Sequence, residues 1–229
     1  MEPLPRETIV DVLERRLQED ILGGTHPAGS LLPPEHRLAE GYGVTRTTVK
    51  HAFGRLTQAG LLETRHGVGT RVRDYLRLGG ADLLPMLVRH NPEWLADIFE
   101  VRAGVGALIA ERAAGGTPRQ RDRLRTLLDA VAAAADPDAV QLADAEVHRA
   151  LARATGNRVY VLLTNTLFAA YLPLRSRLVA PFRDPAEAAA RLEPLVTAVS
   201  HGDASAARTA ARAYLAETQR IMLGALETS

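Results

Sequence analysis

The stretch GVTRTTVK at residues 43–50 decides the fold of the N-terminal part of the chain. Its Gly-Val-Thr turn lies between two segments with helical spacing of apolar residues, and Thr45 is a favourable N-cap for the second segment. That segment has Val49 and Leu56 on one face and Arg46 on the other. Two helices joined by such a turn are typical of a helix-turn-helix, whose second helix enters the major groove of DNA.

The segments on either side extend this motif into a winged helix-turn-helix. Periodicity predicts three helices, over residues 7–22, 34–42 and 46–59. Two extended stretches follow, at 61–64 and 70–72, and the glycines between them permit a tight hairpin. The sequence therefore predicts three helices and a two-stranded β wing within residues 1–75.

Basic residues concentrate around this motif, although the net charge of the whole chain is only +1. Between Val44 and Arg73 six arginines or lysines stand against a single acid, Glu63, which gives a local charge of +5. Such a surface suits the phosphate backbone of nucleic acid. The exposed faces of Arg46 and Lys50 also argue against a winged helix used only for protein contacts, since an interface of that kind favours apolar or aromatic residues.

The composition changes after Asp74. Gly79-Gly80 predicts a linker at residues 76–80, and residues 81–229 are rich in Ala, Leu and Arg with helical periodicity throughout. We predict six or seven helices there, with a kink at Pro173. The predicted fold class is mostly α: an N-terminal winged helix-turn-helix followed by an all-α helical bundle.

Composition also excludes several classes of function. The chain has no cysteine, which excludes disulfides, thiolate zinc sites and cysteine nucleophiles. No apolar run is long enough to cross a bilayer, and Glu2 and Glu7 stand where a signal peptide would be basic, so we expect a cytoplasmic protein without membrane contact. An enzyme using Asp144 and His148 as acid and base is the alternative, but no nucleophile or phosphate loop accompanies them, and we expect no enzymatic activity.

Several motifs resemble those of the GntR family of regulators. In the N-terminal part they are LPPE at residues 32–35, GVTRTTVK at 43–50 and HGVGT at 66–70. The C-terminal part resembles the FadR subfamily through Glu100-x-Arg102, Asp144-x-x-x-His148 and Thr155-Gly156-Asn157. The resemblance implies a homodimer that binds palindromic operator DNA and a helical domain that binds a small-molecule effector.

The resemblance also assigns DNA contacts. It implies base contacts from Arg46 and insertion of His66-Gly67 into the minor groove. The residues expected to contact DNA are His36, Arg37, Thr45, Arg46, Thr47, Thr48, Lys50, His66 and Gly67. Two positions depart from the family pattern, because His36 and Lys50 stand where arginine is usual. An ammonium group cannot reproduce the bidentate contact of a guanidinium, so either the operator differs from that of relatives or these substitutions are neutral.

The effector site departs from the family pattern as well. In many members the Asp and His at positions 144 and 148 bind a divalent metal together with two later histidines, and those positions are here Leu192 and Tyr214. Two ligands fall short of a stable zinc site, so we predict no metal. The pattern resembles the metal-free branch that senses long-chain fatty acyl-CoA, with a small organic acid, with or without a metal, as the alternative effector.

The expected ligand-binding residues are Arg102, Asp144, His148, Asn157, Leu192, Tyr214, Thr218 and Met222. Arg102 lies in an apolar helix, and a buried arginine requires an anion. That anion is either a protein carboxylate, Asp144 or Glu100, or the acidic end of an acyl-CoA or fatty acid effector.

Overall fold

The computed structural model describes residues 8–227 and divides them into two units, with the boundary between His90 and Asn91. The first unit contains five α-helices, a short 3-10 helix at Ala81–Leu83 and one two-stranded sheet among its described residues. In chain order these are α1 (Ile9–Leu22), α2 (Glu35–Tyr42), α3 (Arg46–Gln58), β1 (Leu62–Arg65), β2 (Gly69–Val72), α4 (Tyr75–Leu78) and α5 (Leu84–His90). This order confirms the predicted winged helix-turn-helix. Glu7, the predicted first residue of α1, lies outside the described residues.

Local sequence explains where these helices begin and end. Thr8 and Asp11 form a reciprocal capping box at the start of α1. The α2 helix ends at Gly43, whose φ of 65° is a left-handed conformation that glycine adopts without strain. The Thr45 side chain accepts a hydrogen bond from the backbone N–H of Thr48 and so starts α3 immediately after the turn. Together these caps fix the angle between the two helices of the motif.

The core of the first unit lies between α1, α3 and the wing, where Leu17, Val49 and Leu61 are completely buried. Arg55 of α3 donates to Asp11 and Glu14 of α1 at 2.6 and 3.0 Å. The strands β1 and β2 are antiparallel, in register from Leu62 opposite Val72 to Arg65 opposite Gly69. This register turns the loop at residues 66–68 into the tip of the wing.

The second unit is an all-α bundle within the described residues, as the sequence predicts. Its helices are α6 (Trp94–Ala113), α7 (Pro118–Ala132), α8 (Pro137–Ala154), α9 (Arg158–Tyr171), α10 (Pro185–Ser200) and α11 (Ala204–Glu227), with 3-10 helices at Leu172–Arg177 and Ala180–Phe182. N-caps at Thr117, Asp136, Asn157 and Asp184 start four of these helices.

Two features of the chain beyond the wing differ from the sequence prediction. Pro173 does not kink a helix, because α9 ends at Tyr171 and Pro173 lies in the 3-10 segment that follows. The predicted linker at 76–80 overlaps the helical turn α4, and the division between the units falls later, at His90. The glycines at 79 and 80 mark the end of α4 and not the boundary of a unit.

Tight packing of α6 against α11 organises the bundle. Gly106 makes this packing possible, because a Cβ at that position would lie 2.5 Å from Cδ1 of Leu215. Phe99, Leu151 and Tyr171 are among the largest side chains that are completely buried. Across residues 8–227, no helix has both the length and the hydropathy required to cross a membrane.

Candidate functional site

The N-terminal half of α3 presents a polar, basic surface. Arg46, Thr47 and Lys50 are exposed, as expected for a helix that reads DNA. Thr48 differs from the expectation: it is buried, and its hydroxyl lies 2.9 Å from that of Thr45. The hydroxyls of Thr45 and Thr48 therefore lie together at the start of α3, and a phosphate contact from Thr48 stays a prediction.

A groove joins α3 to the start of α2 and to the wing. His36 and Arg46 line it on one side, and Val68 and Gly69 line it on the other. The neighbouring candidate residues Arg37, His66 and Gly67 are exposed. The φ of Gly67 is 76°, so the tip of the wing depends on a left-handed residue next to His66. The structure thus brings His36 and Arg46 together with the wing in one groove of the first unit.

The second unit contains a small, partly open cavity between the four helices α6, α8, α9 and α11. Its volume is about 30 Å³, enough for one or two water molecules. Its lining is mainly apolar and consists of Arg102, Val105, Gly106, Ile109, His148, Leu151, Thr164, Leu167, Phe168 and Leu215. Arg102 is the one charged side chain in that lining near pH 7. His148 is the other titratable lining residue, and its lowered pKa leaves it uncharged at that pH.

Arg102 is buried and makes no direct ion pair with the described residues. The side chain is 6% exposed, and its Nη2 has no hydrogen-bond partner among residues 8–226. No carboxylate in that range forms an ion pair with it, although Asp144 lies in the same buried cluster, where both charges act on His148. The guanidinium lies 5.6 Å from the ring centroid of Tyr171. This cation–π contact compensates only part of the cost of burying the charge. Burial of a guanidinium nitrogen without a hydrogen-bond partner costs free energy.

A polar cluster lies beside Arg102. Tyr214 donates a hydrogen bond to Oδ1 of Asp144. His148 Nε2 is 3.7 Å from Oδ2 of the same carboxylate, too far for a hydrogen bond, and it has no partner among the described residues. Burial lowers the pKa of His148 from 6.5 to about 4, although Asp144 acts in the opposite direction. His148 is therefore neutral near pH 7, and its contact with Asp144 is not an ion pair.

Comparison with known proteins now identifies the chain. Residues 9–72 match the model for bacterial regulatory proteins of the gntR family, and residues 97–217 match the FCD domain. An uncharacterised HTH-type transcriptional regulator of Mycobacterium tuberculosis is 35% identical over 93% of this chain and 89% of its own length. The chain belongs to the GntR family.

Two further relatives support this assignment. The fatty acid metabolism regulator protein of Edwardsiella ictaluri is 35% identical over 69% of this chain and 67% of its own length. The structure of Streptococcus agalactiae GntR aligns with a TM-score of 0.51 at 26% identity, over 93% of this chain and 99% of that one. The family predicted from the sequence is confirmed, and the chain is a DNA-binding transcriptional regulator with an FCD effector domain.

Only part of the ligand set expected for this GntR-family regulator lines the cavity. Arg102 and His148 line it directly, and Asp144 and Tyr214 contact each other beside His148. Leu192, Thr218 and Met222 are buried but are not among the lining residues. The Thr218 hydroxyl donates to the backbone carbonyls of Tyr214 and Leu215, at 2.9 and 3.1 Å, so its hydrogen-bonding capacity is used within α11.

Asn157 also has a structural role in this regulator. It is exposed and does not line the cavity, and its side chain accepts from the backbone N–H of Val159 to cap α9. Sequence reasoning missed Thr164, a buried residue whose side chain lines the cavity. A signal was present, because Thr164 is the polar residue on the face of α9 that also carries Leu167, Phe168 and Tyr171.

The donor set of the FCD domain does not fit a divalent metal. No group of three or more His, Asp or Glu side chains within the described residues is arranged to hold one. The Tyr214 hydroxyl occupies one carboxylate oxygen of Asp144, and Leu192, at the position of the other family ligand, is completely buried and apolar. Asp144 and His148 thus remain a pair of potential ligands, below the three that an open zinc site uses.

Proposed function

We propose that this GntR-family regulator acts as a homodimer on a palindromic operator, and that its effector is a long-chain fatty acyl-CoA or a fatty acid. The observation that carries the effector proposal is Arg102, a buried guanidinium with an unpartnered Nη2 in the wall of a mainly apolar cavity. An anionic group bound there would supply the missing partner, and an apolar chain would contact the remaining walls.

The chemistry of the lining supports an amphipathic ligand. Ile109, Leu151, Leu167 and Phe168 offer no hydrogen-bonding groups for a sugar acid or a hydroxy acid. Thr164 is the additional polar neighbour of Arg102 in the cavity, in place of Thr218. The relative from Edwardsiella ictaluri, which is named as a fatty acid metabolism regulator, agrees with this choice.

The size of the cavity bears on how such a ligand enters. At about 30 Å³ it is about ten- to thirtyfold smaller than the pockets of roughly 300–1,000 Å³ that hold larger ligands. A long acyl chain therefore has to separate the walls, and the contact of Leu215 with Gly106 lies where α6 and α11 would part. Ligand binding would in this way select a second packing of the bundle and so change affinity for DNA.

The proposed DNA contacts come from the surface built by α2, α3 and the wing. Arg46 and Lys50 are exposed on α3, and His36 and Arg46 line one groove with the wing. We assign direct base contacts to Arg46, phosphate or single-acceptor contacts to Lys50, and minor-groove contacts to His66. Two such surfaces in a homodimer would match the two halves of a palindrome.

Calorimetric titration with fatty acids and acyl-CoA thioesters of increasing chain length tests the effector proposal. Each buried methylene contributes ~0.8 kcal/mol, so affinity should rise about fourfold per carbon until the chain fills the enlarged cavity. Lactate, pyruvate, gluconate and citrate serve as small acidic controls and should not bind. Affinity that does not change with chain length, or tight binding of a small acid, would contradict the proposal and support the small organic acid.

A further inference from the structure

The helix α6 is apolar on two sides. One side packs into the bundle through Leu95, Phe99 and Ile109. On the other side Val101 is 53% and Leu108 is 39% exposed. A typical surface helix has one apolar side, which is buried, and a polar outer side. The exposed Val101 and Leu108 make the outer side of α6 less polar than that, which is typical of a surface covered by a partner.

The exposed side of α6 has a defined sequence order. We name as the α6 stripe the exposed residues Asp97, Val101, Gly104, Leu108 and Arg112, which recur every three or four positions. This spacing places them along one line of the helix surface. An acid stands at one end of the α6 stripe, a base stands at the other, and apolar or small residues lie between them.

The α6 stripe is complementary to itself under a two-fold rotation. Asp97 and Arg112 are equidistant from the point between Gly104 and Val105, and so are Val101 and Leu108. When two antiparallel copies of α6 cross at that point, Asp97 of each meets Arg112 of the other, and Val101 meets Leu108. Gly104 lies at the crossing point. Within this chain a Cβ built there would have no neighbour within 4 Å, so the position faces open space. The missing side chain lets the two backbones approach closely.

The charged ends of the α6 stripe are available for such pairing. Asp97 and Arg112 are both exposed, and neither has an ion-pair partner within residues 8–226. Arg112 lies over the ring of Tyr160, 5.8 Å from its centroid, which leaves its charge uncompensated by a carboxylate. Some arginines of the bundle differ in this respect, for example Arg208, which pairs with Glu111 of α6 itself at 3.0 Å.

We propose that the α6 stripe is the surface through which two copies of this chain associate, with two reciprocal Asp97–Arg112 ion pairs around a central contact at Gly104. The inference rests on the homodimer in the proposed function. A helix of 20 residues is about 30 Å long and 10 Å wide, so the stripe alone covers roughly 300 Å². A stable interface needs about 800 Å² per partner, and exposed apolar residues of the neighbouring α9, Val159, Leu162 and Leu163, can supply further area.

The α6 stripe is also connected to the effector cavity. Arg102, Val105 and Gly106 line the cavity from the same two turns of α6 that carry Val101, Gly104 and Leu108 toward the partner. A ligand that moves α6 away from α11 therefore also moves the surface that pairs with the second copy. This places effector binding and subunit association on opposite sides of one helix.

A charge-reversal cycle on the full chain tests this surface. The variants are Asp97→Arg, Arg112→Asp and the double variant, each measured by sedimentation equilibrium at low salt. Each single reversal replaces two attractive pairs by two repulsive ones, so the dimer dissociation constant should rise about tenfold or more. The double variant restores opposite charges across the two-fold axis and should return close to the wild-type value.

Matched controls separate this effect from general changes in surface charge. Asp129→Arg and Arg123→Asp reverse exposed charges of α7 and should leave the dissociation constant unchanged. Unchanged association in both single variants of the α6 stripe, or failure of the double variant to recover, overturns the proposal. A monomeric wild-type chain contradicts the homodimer itself, whereas a wild-type dimer that is insensitive to the single reversals contradicts only the assignment to α6.

Discussion

Replacing Arg102 by methionine should stabilise the unliganded regulator and weaken effector binding. The methionine side chain is long and apolar, so it fills much of the same space without a charge. Arg102 is 6% exposed and its Nη2 has no partner within the described residues. An unsatisfied buried polar group costs about 1–3 kcal/mol, and more when it is charged, so its removal should be favourable.

The expected net gain is smaller than that cost. Arg102 lies 5.6 Å from the ring centroid of Tyr171, and losing this cation–π contact offsets about 0.5–2 kcal/mol. We therefore expect the free energy of unfolding to rise by about 1 kcal/mol in Arg102→Met. Loss of a charge-assisted hydrogen bond, worth about 1.5–3 kcal/mol, should weaken binding of an acyl ligand roughly 10- to 150-fold.

Urea unfolding followed by circular dichroism measures the stability, and calorimetry with palmitoyl-CoA measures the affinity. Arg125→Met is the matched control, because Arg125 donates to Glu193 at 3.4 Å and so already has a carboxylate partner. That control should lose a little stability and keep its affinity for ligand. If Arg102→Met is clearly destabilised while its ligand affinity is retained, Arg102 is a structural residue and the effector reasoning is refuted.

Four other outcomes follow from the two sites. Arg46→Ala should abolish specific operator binding without changing the fold, and Lys50→Ala should weaken operator binding less. Fluorescence anisotropy at fixed salt measures both affinities. An unchanged operator affinity in Arg46→Ala would contradict the role of α3. His66→Ala should reduce affinity mainly for operators with A·T-rich flanks, whereas equal losses on G·C-rich flanks would show a backbone contact only. Chelators should change neither the melting temperature nor operator affinity, and stoichiometric metal at Asp144 and His148 in elemental analysis would contradict this. Burial lowers the pKa of His148 from 6.5 to about 4, so the free energy of unfolding of the wild type should fall as the pH falls through that interval. Relative to His148→Gln the expected loss is about 3 kcal/mol. Parallel profiles of unfolding free energy against pH in the two proteins would disprove the effect.

The N-terminal fold was predictable because its signals are local. The Thr45 cap, the glycine at 43 and the hairpin glycines each act within a few residues, and the structure places α3 and the wing within one or two residues of the prediction. The exception is Thr48, whose orientation depends on its hydrogen bond with Thr45 and not on helical spacing alone.

The effector site was less predictable because it depends on contacts between distant segments. Helical spacing indicates that Thr218 and Met222 are on the inner face of α11, but not which part of that face meets the cavity. Thr164 lies in the cavity lining only because α9 packs beside Arg102 of α6, a contact that joins residues far apart in the chain. The apolar helix around Arg102 predicts that its side chain is buried. The absence of a directly paired carboxylate within residues 8–226 depends on how distant helices pack, which the sequence pattern does not show.

Operator affinity measured with and without ligand tests the central claim most directly. An operator is first selected from a pool of random DNA fragments with the full-length wild-type protein, and its binding is then followed by fluorescence anisotropy while palmitoyl-CoA is added. We predict that palmitoyl-CoA changes the affinity of the wild type for this operator and leaves that of Arg102→Met unchanged at the same concentration. An operator affinity that does not respond to palmitoyl-CoA in the wild type, or responds equally in both proteins, would contradict the account.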